Sequence, residues 1–321
     1  MPRPDGSILV LAPLPAQALA PLRGRFRLVE AGPDPLGFLA SSPDGRGAEI
    51  AFTIGNRPFT RAMAELLPAL RYVCHFGVGT DLLDLAALGE RGVLVTNTPG
   101  ASASCVADLA VAMLLSLTRA LPGGDAFVRR GDWGVRPYGF DGAVGGRRVG
   151  IYGMGEIGLK VAARLSAFET EIGYHSRSFR PDAPYRRFPS LRELAGWADD
   201  LVVAVAATPR TAGTVDRGVL AALGPGGHVV NVARGSIVDE DALLDALRSG
   251  GLRGAGLDTF RNEPAIRDEF RNLDNVILSP HAGGGTARAI ARTAEIFHAN
   301  LRRYLEGQPP RNVVNPETSN P

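Results

Sequence analysis

The sequence is poor in cysteine, in excess charge of either sign and in long apolar runs. Among 321 residues there are two cysteines, Cys74 and Cys105, which are too few for a disulfide framework or a cysteine-based zinc site. The 35 Lys and Arg residues nearly balance the 33 Asp and Glu residues, so bulk charge gives no reason to expect nucleic acid or an anionic membrane as a partner. The most apolar stretch, 106–117, contains Asp108 and is too short to span a bilayer.

The amino terminus, MPRPDGSILVLAPLP, also lacks the long apolar segment of a secretory signal. Together with the low cysteine content, this favours a reducing, cytoplasmic location. Hydrophobic residues make up 45% of the chain, which is enough for a substantial core and excludes global disorder. The length suits two domains of ordinary size.

Short apolar segments alternate with amphipathic helical segments, an order typical of parallel sheets covered by helices. The first series of strand-like segments is ILVLAP, FRLVE, EIAFTIG, LRYVCHFG and VLVTNT. The second series is RRVGIYG, TEIGYHS, DLVVAVA, HVVNVA, GAGLD and NVILSP. Six strands joined by crossovers predict an α/β, doubly wound parallel-sheet domain of the Rossmann type.

Two long helices are expected at the ends of this second series. The first should cover about 104–121 and stop at Pro122-Gly123-Gly124. The second should cover about 286–306 and run back to pack on the first domain. The predicted domains are therefore a substrate-binding domain, residues 1–98 plus 287–321, and a dinucleotide-binding domain, residues 99–286.

A glycine-rich turn follows the segment RRVGIY and precedes a helix-forming segment. A lone G-x-G-x-x-G can arise by chance, but the strand before it and the helix after it are the context of a pyrophosphate-binding turn. The first glycine permits the tight turn, the second the approach of phosphate, and the third close packing of helix on strand. An ordinary strand-to-helix turn is the alternative. The predicted cofactor-binding residues here are Gly153, Met154, Gly155, Glu156, Ile157 and Gly158.

The next strand ends at Ser176-Arg177-Ser178, and no acidic residue stands there. A carboxylate at this place usually binds the ribose 2′-hydroxyl of NAD, whereas His175 occupies it in this sequence. Two hydroxyls and a guanidinium suit a 2′-phosphate, which a carboxylate would repel. We therefore expect NADP(H) to be preferred, with NAD(H) possible. The alternative is that Arg177 stacks on adenine or lies in solvent.

Three polar residues follow later strands of the same series. Arg234 lies in NVARGSIVDEDAL, Glu263 in GAGLDTFRNEP and His281 in NVILSPHAGGGT. Ligands of open parallel sheets bind outside the carboxyl ends of the strands, so these residues can converge there. His281 can donate a proton to a keto oxygen, Glu263 can orient the imidazole, and Arg234 can bind a substrate carboxylate and polarise the carbonyl. Each residue alone has a common structural explanation, and their joint placement favours catalysis.

The first domain carries two further strand ends with polar or glycine-rich turns. In HFGVGTDLLDL, the backbone N–H groups of Val78 and Gly79 can bind a carboxylate. In TIGNRPFT, Asn56 stands at another strand end. Routine strand-to-helix turns are the alternative for both. The remaining histidines are interpreted as structural, with His75 the least certain because it precedes the first of these turns.

In its ordered motifs, from HFGVGTDLLDL and VTNTPGASASCVADLAVAMLL through GMGEIG to LSPHAGGGT, the sequence resembles the D-isomer-specific 2-hydroxyacid dehydrogenase family. The resemblance covers nearly the whole chain and implies Arg234, Glu263 and His281 as catalytic residues. It also implies a Rossmann cofactor domain inserted into a smaller, flavodoxin-like α/β domain, and a homodimer joined through the cofactor domains. Further cofactor contacts implied in this way are Ser176, Arg177, Ser178, Thr208, Val232 and Asp258.

The sequence at SRS and at ALGPGGHVVNVARGS is similar to that of the glyoxylate/hydroxypyruvate and hydroxyphenylpyruvate reductase branch. We therefore expect NADPH-dependent reduction of a small 2-keto acid to the D-2-hydroxy acid, with no metal ion. The alternatives are an NAD(H)-dependent D-2-hydroxyacid dehydrogenase, a formate dehydrogenase, and a non-catalytic dinucleotide-sensing corepressor. The family often has Val-Phe-Glu after the strand-end Asp, whereas this chain has Thr259-Phe260-Arg261. The sequence therefore does not identify which side chain the 2-keto acid substrate carries.

Overall fold

The computed structural model describes residues 6–139 and 142–315. The chain divides into two compact units, of which the first is Met1–Ser102 with Thr286–Pro321 and the second is Ala103–Gly285. These boundaries lie close to the predicted ones at 98/99 and 286/287.

The first unit contains a five-stranded parallel sheet with the order β2-β1-β3-β4-β5, which is the flavodoxin-like order. Its strands are β1 Ser7–Val10, β2 Arg27–Glu30, β3 Ile50–Ile54, β4 Tyr72–Phe76 and β5 Leu94–Thr96. The helices between them are α1 Ala16–Leu19, α2 Pro35–Ser41, α3 Pro43–Arg46, α4 Arg61–Glu65 and α5 Leu85–Glu90, with a 3-10 turn at Ala20–Leu22. All residues of β4 are buried, because apolar layers cover both faces of the sheet there.

The second unit contains a seven-stranded parallel sheet with the order β12-β11-β10-β9-β6-β7-β8. Its strands are β6 Arg148–Tyr152, β7 Glu171–His175, β8 Arg186–Arg187, β9 Asp200–Val203, β10 His228–Asn231, β11 Gly254–Leu257 and β12 Val276–Leu278. Numbered along the chain and read from β8, the strands have the order 3-2-1-4-5-6-7, which is the Rossmann order extended by β12, so the predicted fold class is confirmed. The third strand of this order, β8, was not among the six predicted strands; it consists of two exposed arginines and has no apolar pattern.

The helices of the second unit depart from the prediction at one place. They are α6 Ala103–Thr118, α7 Leu121–Arg129, α8 Glu156–Ser166, α9 Leu191–Trp197, α10 Arg217–Leu223, α11 Glu240–Ser249 and α12 Asp268–Arg271, with a 3-10 turn at Gly235–Ile237. The predicted stop at Pro122–Gly124 is wrong, because the chain turns earlier, at Ala120 in a left-handed conformation, φ 46°. Pro122 then lies in the first turn of α7, where its missing N–H costs nothing.

The last helix, α13 Ala287–Leu305, belongs to the first unit, as expected. Thr286 caps it by accepting a hydrogen bond from the Ala289 N–H at 3.1 Å. Phe297 packs edge-on against Phe52, with 4.8 Å between ring centroids, and thereby attaches the helix to the sheet. In the described part of the chain, no single helix is long and apolar enough to cross a membrane, and only the bent pair α6–α7, at 60°, meets both conditions together.

A buried ionic cluster fixes the amino-terminal edge of the second sheet. Arg147 donates two hydrogen bonds to Asp200, at 2.6 and 2.7 Å, and His228 Nδ1 lies 2.7 Å from the same carboxylate. Asp200 is 1% exposed, so its charge requires these partners. The cluster lies at the strand starts and leaves the carboxyl ends of the strands to the candidate site.

Candidate active site

The glycine-rich turn after β6 has a backbone that only glycine permits at two of its positions. Gly153 has φ 101°, and a Cβ there would lie 2.5 Å from the backbone of Val205. A Cβ on Gly158 would lie 2.1 Å from the Gly153 carbonyl oxygen. Helix α8 therefore approaches the end of β6 as closely as two backbones can.

The middle of this turn is open, in contrast to its two ends. A Cβ on Gly155 would meet nothing within 4 Å. The N–H groups of Gly155, Glu156 and Ile157 have no acceptor among the described residues. Free N–H groups at the first turn of an 11-residue helix suit a pyrophosphate, so the turn fits a dinucleotide. The Met154 side chain is buried in the core, which leaves its backbone for such a contact.

The predicted selectivity loop lies beside the turn, since the Gly153 N–H donates to the His175 carbonyl at 2.9 Å. Ser176 Oγ donates to the Ser178 carbonyl at 2.6 Å. The Arg177 side chain is exposed and has no hydrogen-bond or ion-pair partner in the described ranges. The loop thus presents one guanidinium with no carboxylate bound to it.

Arg187 supports this loop and was missed by the sequence analysis. Its Nη2 donates to the carbonyl oxygens of Ser176 and Arg177, at 3.2 and 3.4 Å. It reaches them because Arg187 pairs with Tyr174 in the β7–β8 register. The only signal in the sequence was a pair of arginines, which by itself does not indicate a strand.

Three further predicted cofactor contacts lie at strand ends or in the loops that follow strands of the second sheet. Val232 follows β10 and is buried. Thr208 is exposed in the loop after β9, where its N–H donates to Thr211 Oγ1 at 2.8 Å. Asp258 follows β11 and is described below. Their contact with a cofactor stays a prediction.

Two of the three predicted catalytic side chains are in direct contact. His281 Nδ1 lies 2.7 Å from Glu263 Oε2, and Glu263 Oε1 accepts the Phe260 N–H at 3.0 Å. The two side chains are 32% and 24% exposed, so each can still be reached from solvent. Because Nδ1 is engaged by the carboxylate, Nε2 is the ring nitrogen left for a substrate oxygen.

Glu263 remains ionised in this setting. Partial burial is the largest single influence and raises the pKa of its carboxyl, whereas the hydrogen bonds from His281 and Phe260 lower it. The positive charges of His281 and Arg234 act in the same direction. The pKa of Glu263 consequently lies below the usual range of a glutamate.

The loop that carries His281 is held by Asp258. One carboxylate oxygen of Asp258 accepts Ser279 Oγ at 2.6 Å and the Ala282 N–H at 2.7 Å, and the other accepts the Gly283 N–H at 3.0 Å. His281 itself has φ 53°, a left-handed conformation that is uncommon for residues other than glycine. The carboxylate of a neighbouring strand end therefore holds the Ser279 side chain before the histidine and the backbone directly after it.

Arg234 is brought to the same strand ends by a close contact between two backbones. Asn231 Nδ2 donates to the Arg234 carbonyl at 2.9 Å, which shapes the turn after β10. A Cβ on the next residue, Gly235, would lie 2.0 Å from the carbonyl carbon of Phe260. The loops that carry Arg234 and Glu263 therefore touch, and the three predicted catalytic residues lie at one edge of the sheet.

The predicted substrate contacts lie in the first unit. The turn of Gly77, Val78 and Gly79 follows β4, and a Cβ on Gly77 would lie 3.4 Å from the Cα of Gly55. Asn56, which follows Gly55, has an exposed side chain. The structure thus places the turns after β3 and β4 side by side.

A histidine held by a carboxylate, in a fold whose glycine turn suits pyrophosphate, is an arrangement that dinucleotide-dependent carbonyl reduction can use. This places the protein among the dinucleotide-dependent oxidoreductases. A family model described as D-isomer specific 2-hydroxyacid dehydrogenase, NAD binding domain, matches residues 111–283. The chain belongs to the D-isomer-specific 2-hydroxyacid dehydrogenase family, in its reductase branch, as the motifs predicted.

Individual relatives cover nearly the full length. A hydroxyphenylpyruvate reductase of Plectranthus scutellarioides is 38% identical over 304 residues, which are 94% of this chain and 96% of that protein. A glyoxylate/hydroxypyruvate reductase of Arabidopsis thaliana is 41% identical over 81% of each chain. The crystal structure of an NADPH-dependent glyoxylate/hydroxypyruvate reductase from Sinorhizobium meliloti, in complex with NADP and malonate, superposes with a TM-score of 0.90 at 34% identity over 98% of each chain.

Proposed function

We propose that this protein reduces a small 2-keto acid, such as glyoxylate or hydroxypyruvate, to the D-2-hydroxy acid with NADPH. The observation that carries the proposal is the 2.7 Å contact between His281 and Glu263, at the strand ends that also hold Arg234. Formate oxidation releases no hydroxyl proton and has no need of an acid held by a carboxylate. The pair therefore favours keto-acid reduction, and relatives named glyoxylate reductase and 2-ketogluconate reductase agree with this choice.

The roles of the side chains follow from their contacts. When bound, the dinucleotide supplies a hydride from C4 of its nicotinamide. His281 Nε2 donates the proton that the carbonyl oxygen needs, and Glu263 holds the ring by its other nitrogen. Arg234 stabilises the negative charge that develops on that oxygen and binds the carboxylate. The N–H groups of Val78 and Gly79 offer further donors for a carboxylate.

The preference for NADPH rests on the loop after β7. Arg177 is free of carboxylate partners within the described residues, and Arg187 holds the carbonyls of the same loop inward. A 2′-phosphate gains hydrogen bonds between opposite charges there, whereas a neutral 2′-hydroxyl has no charge to pair with the guanidinium. The Sinorhizobium meliloti relative named NADPH-dependent and solved with NADP is consistent with this preference.

The Arg177→Ala variant tests the cofactor preference. One charge-assisted hydrogen bond is lost, so the Kd of NADPH should rise about 10- to 100-fold while that of NADH changes little. Arg302→Ala, an exposed arginine of α13, is the matched control. An equal rise in the Kd of both cofactors would mean that Arg177 contacts a part of the dinucleotide that NADPH and NADH share.

A substrate panel tests the reaction itself. Glyoxylate, hydroxypyruvate, 2-ketogluconate and an aromatic 2-keto acid should be compared by kcat/KM, each with NADPH and with NADH. We expect turnover of at least one 2-keto acid, with NADPH preferred. Absence of turnover with every acid, in protein that still binds NADPH, would favour a dinucleotide-sensing role.

We further propose that the protein forms a homodimer through α7 and the loop after it. Leu121, Val128, Trp133 and Val135 are exposed there, and Trp133 is 78% exposed. Exposed aromatic and aliphatic side chains in one segment are typical of interfaces. Helix α6, the apolar helix that precedes α7, packs in the core of its own unit instead. Light scattering of the full chain and of Trp133→Ser tests the proposal, because a dimer should weaken in the variant.

A further inference from the structure

Every carbonyl of the turn 77–79 is bonded to a group of the first unit. Gly77 O accepts the Thr98 N–H at 3.0 Å, Val78 O accepts Asn97 Nδ2 at 2.8 Å, and Gly79 O lies 2.9 Å from His75 Nε2. Three successive carbonyls are thus held toward the body of the unit. Such a turn cannot rotate one peptide without breaking one of these bonds.

The N–H groups of the same turn are in the opposite situation. Neither the Val78 nor the Gly79 N–H has an acceptor among the described residues. Two adjacent unpaired N–H groups, with their carbonyls fixed elsewhere, form an anion-binding arrangement. The bonds to the carbonyls therefore keep the two donors available.

His75 is the buried side chain in this arrangement, at 1% exposure. Its Nδ1 lies 2.6 Å from Thr53 Oγ1, and its Nε2 faces the Gly79 carbonyl. A carbonyl can only accept, so Nε2 carries the hydrogen, and the Thr53 hydroxyl can donate to Nδ1. The ring is therefore fixed between β3 and the turn in the orientation that the Gly79 carbonyl requires.

We propose that His75 and Asn97 are positioning residues for the substrate carboxylate. Asn97 holds the peptide that carries the Gly79 N–H, and His75 holds the peptide that follows it. Together they keep the N–H groups of Val78 and Gly79 directed toward the carboxylate of a 2-keto acid. The proposal rests on the function proposed above. It changes the interpretation of His75, which the sequence pattern indicated as structural.

The expected effect is on KM and not on kcat. The substrate carboxylate takes no part in hydride or proton transfer, so its hydrogen bonds contribute equally before and during the reaction. Gly79 O shares its peptide with the Thr80 N–H, so loss of the His75 bond should loosen the turn directly after the Gly79 N–H and raise KM about 10-fold, with kcat nearly unchanged. A residue with only a structural role would not separate these two constants.

Two substitutions of His75 distinguish the contact from general packing. The His75→Gln variant keeps an N–H donor at the reach of Nε2, whereas His75→Asn ends near Nδ1 and can bond only to Thr53. We expect His75→Asn to raise the KM of glyoxylate and the Kd of oxamate, and His75→Gln to restore both substantially. Reduction of methylglyoxal, which lacks the carboxylate, should be equal in the two variants, as should the Kd of NADPH.

Asn97→Asp provides a second test that does not depend on the stability of a His75 variant. It removes the donor to Val78 O and should raise the same KM. The proposal is overturned if His75→Asn and Asn97→Asp leave the KM of glyoxylate unchanged, or if methylglyoxal is affected as strongly as glyoxylate. If the unsubstituted protein binds oxamate but reduces no 2-keto acid, the proposed function is wrong, and the Kd of oxamate in the variants still decides the role of His75.

Discussion

The Gly235→Ala substitution should separate the loops that carry Arg234 and Glu263. A Cβ at position 235 would lie 2.0 Å from the Phe260 carbonyl carbon and 2.3 Å from the Arg261 nitrogen. Ordinary contacts begin at 3.4 Å, so the two backbones must move apart by about 3.4 − 2.0 = 1.4 Å. Both neighbours are backbone atoms, and no side chain can turn away to make room.

This movement should lower both the stability of the fold and the activity of the enzyme. Overpacking of this kind destabilises by about 1–3 kcal/mol, which corresponds to a decrease in Tm of about 2–12 °C for a unit of this size. Phe260 donates to Glu263, so its displacement also moves the partner of His281. Misplacement of catalytic groups by about 1 Å costs on the order of 10²-fold in rate, and we expect kcat/KM to decrease to that extent.

Thermal unfolding and steady-state reduction of glyoxylate with NADPH measure the two effects. Gly226→Ala is the matched control, because it lies in the same unit, is exposed, and has no atom within 4 Å of an added Cβ. The control should retain both properties. Unchanged activity and unchanged Tm in Gly235→Ala would refute the claim that the two loops are in contact.

Three further outcomes are expected at the phosphate turn and the catalytic pair. The His281→Asn variant, in which asparagine tolerates φ 53°, should lose on the order of 10²-fold or more in kcat while NADPH binding persists, and near-normal turnover would exclude His281 as the acid. Because the pKa of Glu263 is lowered, its carboxylate should support His281 and the stability of the fold at neutral pH. Both contributions should be lost as pH falls through that lowered pKa, which gives the pH–rate profile an acid limb. The Glu263→Gln variant should lack this limb and have a lower kcat. Gly155→Ala should leave the Tm of the free protein unchanged but weaken NADPH and NADH alike, as titration of both cofactors can check.

Much of the fold was predictable because most of its strands are buried on both faces and therefore read as short apolar runs. The glycine turn was predictable because its residue types are required by contacts within a few residues, such as that between Gly153 and Gly158. The strand β8 was missed because two exposed arginines carry no such pattern. The break at Ala120 was missed because alanine rarely adopts a left-handed conformation.

The candidate site was predictable in its residue types but not in its supports. Strand ends indicated where Arg234, Glu263 and His281 would lie. Three supporting contacts join residues that are paired by the fold and not by any regular spacing in the sequence. They are the contacts of Asp258 with the His281 loop, of Arg187 with Ser176, and of His75 with Gly79. Such bonds depend on which strands are neighbours in the sheet, and the order of strands along the chain does not state that directly.

The anchoring of His281 has a consequence for how this enzyme tolerates change. Its backbone is tied to Asp258 and its ring to Glu263, and both of these precede α12 in the chain. The exposed residues of the intervening stretch around α12 can therefore be changed without displacing His281, provided that Phe270 stays in the core and β12 still pairs with β11. The exposed residues Arg271 and Asn272, which follow the buried Phe270, are accordingly a natural place for insertions or labels that leave the reaction intact.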